Sequence, residues 1–329
     1  MPSADHTQDW NNYWQGRSAT QTGNALLGVG IENNEILSAF WQDVFKDKLV
    51  DTKIIDFACG AGSVLMQAKT AGLSDLTGLD VSENAIDVLK TKMPSVKGHV
   101  GFVDKTPYDS ESYDMVVSQF GVEYAGSSDN ILDAINEMIR ILRPGGQIVL
   151  VAHIQGGAIA SGCQRSLEQI SLVNQSGFLK SAKEAFKAIS KSQLNAAQVD
   201  KDRAVKTMKA LNVTAEPIMA WLKELGPSKQ EFARFTYHLL ESTHKLMTNI
   251  QKYELDECLE WLEGMQSEIL AYKGRMSSMI EAALSEKFVA QISDELSNAG
   301  LRVNKAEKMY FLADNPPAAW IIRGFHDVL

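Results

Sequence analysis

A chain of 329 residues, 45% hydrophobic and 22% charged, has room for one large domain, or for a core domain with a substantial addition, and for a sizeable buried core. Its formal net charge of −9 argues against a general binder of phosphate backbones, which needs a basic face. The three cysteines, Cys59, Cys163 and Cys258, form no C-x-x-C pair, so neither a zinc site nor a disulfide framework is indicated, and reduced thiols in a cytoplasmic protein are expected. The first residues lack a basic start and an apolar run, so no signal peptide is expected; IVLVAHI, 148–154, is too short to span a bilayer.

In chain order, Trp10, Tyr13 and Trp14 fall on one helical face with Arg17 a turn on, and Phe40, Trp41, Val44 and Phe45 mark a second helix. Residues 1–50 therefore read as N-terminal helices. Ile54–Phe57 is a short β-branched strand. Small residues then lead into a helix carrying Val64, Leu65 and Ala68 that stops at Gly72. LTGLD, 76–80, is a second strand, and Ser82 caps a helix ended by Pro94. A third strand is expected over 99–104 and a fourth over 113–120. Asp129 is expected to cap the next helix, RPGG, 143–146, to form a turn, and 147–154 to be a fifth strand. Strands alternating with helices predict an α/β fold with a mostly parallel sheet and helices on both faces. Ligands on such sheets bind beyond the carboxyl ends of the strands, where the first glycine turn lies.

That turn does not carry the dinucleotide fingerprint. G-x-G-x-x-G begun at Gly60 runs through Gly62 to Leu65, so its third glycine is missing and nicotinamide chemistry is disfavoured. The pattern acidic-x-G-x-G-x-G fits better, reading Asp56, Ala58, Gly60 and Gly62, with alanine for the first glycine. In this the chain resembles the class I S-adenosylmethionine-dependent methyltransferases. The resemblance continues in order through Asp80, Asp104, the segment 107–121 and ILRPGGQIVLV, 141–151. It implies a Rossmann-like seven-stranded sheet whose last strands are 300–309 and 318–325.

The resemblance also implies a set of contacts to S-adenosylmethionine. Asp56 would meet the ammonium of the cofactor, directly or through water. The small residues Ala58, Cys59, Gly60 and Gly62 would let its amino acid end approach the backbone. Asp80 would accept from the ribose hydroxyls, Val81 would lie on the adenine, Asp104 would meet the adenine amine, and Lys105 beside it belongs to the cofactor-binding set. Gln119 closes the set on the fourth strand. From the N-terminal helix, Tyr13, Trp14 and Arg17 would close over the cofactor, unless these aromatics simply bury themselves in the core.

Between the core segments 51–154 and 285–329 lie residues 155–284, helical almost throughout. Cys258, Leu262, Met265, Ile269, Tyr272, Met276, Met279 and Ala283 step by threes and fours, and Phe232, Phe235, Leu239, Leu246 and Ile250 form a second stripe. Pro217 and Pro227 suggest helix starts. The point of attachment, after the fifth strand, favours a substrate cap over a dimerisation subdomain, so a monomer or a homodimer is expected. Methyl transfer needs a base only when the acceptor must lose a proton; His153, Glu123 and Tyr124 are the candidates by type and position. His238 and His244 do not share a face, so no metal site is expected. NPPA, 315–318, resembles a motif of nucleic-acid amino-methylating enzymes, but it lies near the end of the sequence and closes on alanine, so a nucleic-acid substrate is disfavoured. The residues thus point to a methyltransferase for a small-molecule oxygen or nitrogen acceptor. An adenosylmethionine-binding sensor and a nucleotide-cofactor oxidoreductase are the alternatives.

Overall fold

A computed structural model describes residues 14, 35–194, 197–225, 231–312 and 315–327. The described residues form two compact units, one of residues 35–164 and 277–327 with Trp14, the other of 165–276.

The first unit is an α/β sandwich. Its elements run α1 (Glu35–Phe45), β1 (Ile54–Phe57), α2 (Ser63–Thr70), β2 (Leu76–Asp80), α3 (Glu83–Lys92), β3 (Lys97–Val100), β4 (Tyr113–Gln119), a 3-10 turn (Val122–Tyr124), α4 (Ser128–Ile141) and β5 (Leu142–His153). After the helical insertion come α10 (Glu286–Asn298), β6 (Leu301–Val303), β7 (Glu307–Met309) and β8 (Ala319–His326). The sheet order is β3-β2-β1-β4-β5-β8-β6, with β7 also paired to β8. The strands from β3 to β5 are parallel, and β8 runs antiparallel to β5, β6 and β7.

Period-two alternation divides the apolar residues between two layers. Ile55, Phe57, Val116, Ile148 and Leu150 face α4 and α10, whereas Ile54, Met115, Val117, Val149 and Val151 face α1, α2 and α3. Every residue of β1 is buried, because both faces are covered. α1 contributes Leu37, Trp41 and Phe45, one turn apart, and the Trp41 and Phe45 rings stack at 5.6 Å.

The Rossmann-like sheet agrees with the sequence reading, and several boundaries differ. The sixth strand is broken into β6 and β7, whose registers against β8 differ by one residue, so eight strands stand where seven were expected. The third strand spans 97–100 rather than 99–104, leaving Asp104 in the following loop. RPGG is not a free turn: it bulges within β5, whose register against β4 shifts between Tyr113 and Met115, and Gly145 takes a positive φ. Ser127, not Asp129, caps α4, accepting from the Asn130 N–H, because two serines precede the aspartate and the helix begins two residues earlier. Ser82 caps α3 as expected.

The second unit is helical. The insertion comprises α5 (Ala158–Ser176), α6 (Phe178–Leu194), α7 (Gln198–Glu224), α8 (Glu231–Thr248), a 3-10 turn (Ile250–Lys252) and α9 (Leu255–Glu281). Cys258, Leu262, Met265, Ile269, Tyr272 and Met276 are all buried on α9, as the periodicity predicted. Ala283 lies beyond the end of that helix. Pro217 sits inside α7 rather than at its start. A proline there forfeits one intrahelical hydrogen bond, a cost the remaining turns of a 27-residue helix absorb.

Candidate active site

The strand order reverses between β1 and β4, so the crevice for a ligand opens at their carboxyl ends. Three residues of the β1–α2 turn have positive φ: Ala58 at 54°, Gly60 at 52° and Gly62 at 81°. Gly62 is held to glycine by its positive φ, and a Cβ there would also press on Met93 Cε at 2.6 Å and more closely on Leu89, whose side-chain ends would have to shift. The Cys59 N–H reaches Leu79 C=O at 3.0 Å and the Gly62 N–H reaches Cys59 C=O at 2.9 Å, which closes the turn.

Ala58 stands in the left-handed region at a cost of about 1–2 kcal/mol. Its neighbour across the crevice is Gly121, where a Cβ would come 2.7 Å from Ala58 Cβ and 3.0 Å from Phe57 C=O. The methyl at 58 is therefore accommodated by a glycine at 121. Phe120, beside it, also has a positive φ, 51°. Strained backbone thus gathers at the facing ends of β1 and β4, a pattern associated with functional sites.

Asp56 is buried, its Oδ1 has no hydrogen-bond partner, and burial followed by the nearby charge of Asp80 pushes its carboxyl well above the usual range. Asp80 ends β2 and accepts twice, from Gly60 N–H at 2.8 Å through Oδ2 and from Ser82 N–H at 2.9 Å through Oδ1. Burial raises its carboxyl, and those N–H groups oppose the rise. Sequence reasoning did not find this role of Asp80, which ties the end of β2 to the glycine turn. Cys59 is buried with its thiol pushed well up by burial and then by Asp80 and Asp56, so it is an inert wall residue.

The remaining expected residues are placed unevenly. Val81 is half-buried just past Asp80. Asp104 is half-buried and Lys105 exposed in the loop after β3, which Glu137 holds by accepting from the Thr106 N–H at 2.8 Å. Gln119 Oε1 accepts from Trp41 Nε1 at 2.6 Å, so this amide anchors α1 to β4. The Trp14 indole lies against the glycine turn: a Cβ at Gly60 would be 2.7 Å from its Cζ2. Tyr13 and Arg17 lie outside the described residues.

An unpaired buried carboxylate oxygen beside a turn of small residues suits a ligand that brings an ammonium close to the backbone. S-adenosylmethionine does so. Asp56 would hold its ammonium, Gly60 and Gly62 its amino acid end, and Asp80 its ribose through the lone pairs the backbone leaves free.

At the carboxyl ends of β4 and β5 the structure brings two of the candidate catalytic residues together. Glu123 Oε1 accepts from His153 N–H at 2.8 Å and lies 2.8 Å from His153 Nδ1. Both side chains are buried, and Glu123 Oε2 and His153 Nε2 have no partner. The Phe120 ring lies 4.3 Å from the imidazole, and Tyr124 meets it edge-on at 5.7 Å. Burial, then Glu123 and Cys163, push the Tyr124 phenol well above its ordinary value, so it stays protonated. Among the described residues no cluster of potential ligands for a metal ion is found, and no helix is long and apolar enough to cross a membrane.

Residues 55–150 match the family model described as a methyltransferase domain. The demethylmenaquinone methyltransferase of Chlorobaculum parvum is 28% identical over 130 residues, which is 37% of this chain and 50% of that protein. That of Staphylococcus aureus is 34% identical over 109 residues, 32% of this chain and 44% of that protein. A solved geranyl diphosphate methyltransferase in complex with S-adenosylmethionine aligns with a TM-score of 0.32 and 17% identity, over 36% of this chain and 49% of that one. The chain spans about half the length of the curated relatives it matches. Its segment 55–150 thus matches a methyltransferase domain.

Proposed function

We propose that this chain transfers the methyl group of S-adenosylmethionine to an oxygen or nitrogen atom of a small-molecule acceptor. The observation that carries the cofactor half of the reading is the unpartnered, buried Asp56 Oδ1 beside the Ala58–Gly62 turn. The small-molecule half is supported by the names of the curated relatives and by the acidic balance of the chain.

The cofactor supplies an activated methyl group, so the chain's own residues have three tasks: to orient the acceptor, to exclude water and to take a proton where the acceptor carries one. The Glu123–His153 pair is assigned the proton, with Tyr124 as a neutral hydrogen-bonding neighbour. The helical residues 155–284 are assigned the covering role, because the chain enters them directly from His153 at the carboxyl end of β5.

Methyl-labelled S-adenosylmethionine incubated with the protein and a fractionated cell extract tests the reading. Label is expected in the small-molecule fraction. Label in protein or nucleic acid instead would overturn the acceptor class, and cofactor binding with no transfer to any fraction would make the chain a sensor.

A further inference from the structure

The loop between β3 and β4, residues 101–112, carries Asp104 and Lys105 and has no helix or strand of its own. It is tied at both ends. The Gly101 N–H reaches Asp80 C=O at 2.9 Å, and the N–H groups of Glu111 and Ser112 reach the Arg140 and Ile141 carbonyls at 3.0 and 2.8 Å, at the end of α4.

Between these anchors two side chains of α4 hold the loop. Glu137 Oε1 accepts from the Thr106 N–H at 2.8 Å and from the Thr106 hydroxyl. Arg140 Nη2 donates to Tyr108 C=O at 2.7 Å, and Nη1 donates to Ser110 Oγ at 3.2 Å. The two side chains are also bound to each other, Arg140 Nε donating to Glu137 Oε2 and Nη2 to Oε1, both at 2.7 Å. Exposed ion pairs contribute little, but here the carboxylate is 9% exposed and the guanidinium grips it through two nitrogens. Burial raises the Glu137 carboxyl, yet the bonds from Arg140 and Thr106 outweigh it and hold the group below its ordinary range. A carboxylate engaged on both oxygens fixes Thr106, and with it Lys105 and Asp104, one and two residues back along the chain.

We propose that Glu137 is a positioning residue for nucleobase choice, holding Asp104 where it meets the exocyclic amine of adenine. This rests on the S-adenosylmethionine reading above. Adenine presents an N–H donor to that carboxylate. Hypoxanthine presents a carbonyl at the same place, which a carboxylate repels. A buried polar group matched to one partner and opposed to the other is a strong discriminator, provided that it cannot withdraw. Glu137 touches neither base and acts only by keeping the loop in place.

The test compares adenosylhomocysteine with S-inosylhomocysteine by calorimetric titration of the full chain. The wild type is expected to prefer the adenosyl ligand by about tenfold or more. Asp104→Asn, whose amide can face either base, should reduce the preference below about threefold. Glu137→Ala should do the same, through weaker adenosyl binding with the inosyl affinity unchanged or raised. A brace for the fold alone would weaken both ligands equally. In the double variant Glu137→Ala should change the preference by less than about twofold beyond Asp104→Asn, because the two residues act in one chain of contacts. Thr106→Val, which deletes only the hydroxyl bond, should give an intermediate preference, and it carries the test if Glu137→Ala does not fold. Equal wild-type binding of the two ligands would overturn the proposal. So would an unchanged preference in Glu137→Ala or Thr106→Val, an equal loss for both ligands, or additive losses in the double variant. Failure of the cofactor reading would appear separately, as a wild-type chain that binds neither ligand.

Discussion

Asp80→Ala is expected to lower affinity for adenosylhomocysteine about tenfold to a hundredfold and to lower stability by about 1–3 kcal/mol. The two losses have different origins. Loss of the proposed ribose contact accounts for the first. The second follows from the two backbone N–H groups, of Gly60 and Ser82, that the carboxylate accepts at 2.8 and 2.9 Å. With the side chain gone, those donors sit in a buried turn without their acceptor. The relief of a buried acid whose carboxyl is already raised by burial offsets part of the second loss. Calorimetric titration and thermal melts of the same preparation separate the two effects. A folded variant of unchanged stability and affinity would show that Asp80 neither holds the turn nor meets the ribose.

Asp56→Asn is expected to act in opposite directions on stability and on binding. In the free protein Asp56 is buried, its Oδ1 is unpartnered, and its carboxyl is raised well above 3.8 by burial and by Asp80. An acid raised in the folded state favours folding below its ordinary value, and that contribution is lost as pH rises through the folded value. The asparagine variant carries no such dependence. It should be the more stable protein at neutral pH, by about 2–4 °C in Tm for each kcal/mol gained, and its advantage should shrink to nothing as pH falls towards 4. Its affinity for adenosylhomocysteine should fall by about tenfold or more, since the charge facing the ammonium is gone. Melting curves between pH 4 and 8, with and without ligand, check both halves. An advantage that grows on acidification would contradict the account.

The parts of this fold that were legible in the sequence are those written in local pattern. β1, β4 and β5 contain β-branched runs and β2 is a short, mostly apolar segment, and the glycine turn, Ser82 and Pro94 punctuate them. The boundaries that differed depend on choices among residues of equal local merit. Ser127, Ser128 and Asp129 can all cap a helix, and tertiary packing selects the first. The break between β6 and β7 and the bulge at RPGG arise from register against β8 and β4, which no single segment encodes.

The site was legible in its residue types and less so in its bonds. Asp56, Gly60, Gly62 and Asp80 were singled out as candidates from spacing and resemblance. That Asp80 also ties the turn to β2 and that Gln119 holds Trp41 depend on side-chain directions across 20 and 78 residues. The accommodation of Ala58 by Gly121 lay 63 positions apart. An alanine in place of an expected glycine was the signal that could have prompted a search for the small residue opposite it. Glu123 and His153 were both singled out, but their pairing appears only when β4 and β5 lie side by side.

The central claim is that the Ala58–Gly62 turn, with Asp56 and Asp80, holds S-adenosylmethionine. Isothermal titration of the purified chain with adenosylhomocysteine and, separately, with a nicotinamide dinucleotide tests it most directly. Micromolar binding of adenosylhomocysteine, with no measurable heat from the dinucleotide, is the predicted result. Tight dinucleotide binding with none for adenosylhomocysteine would contradict it.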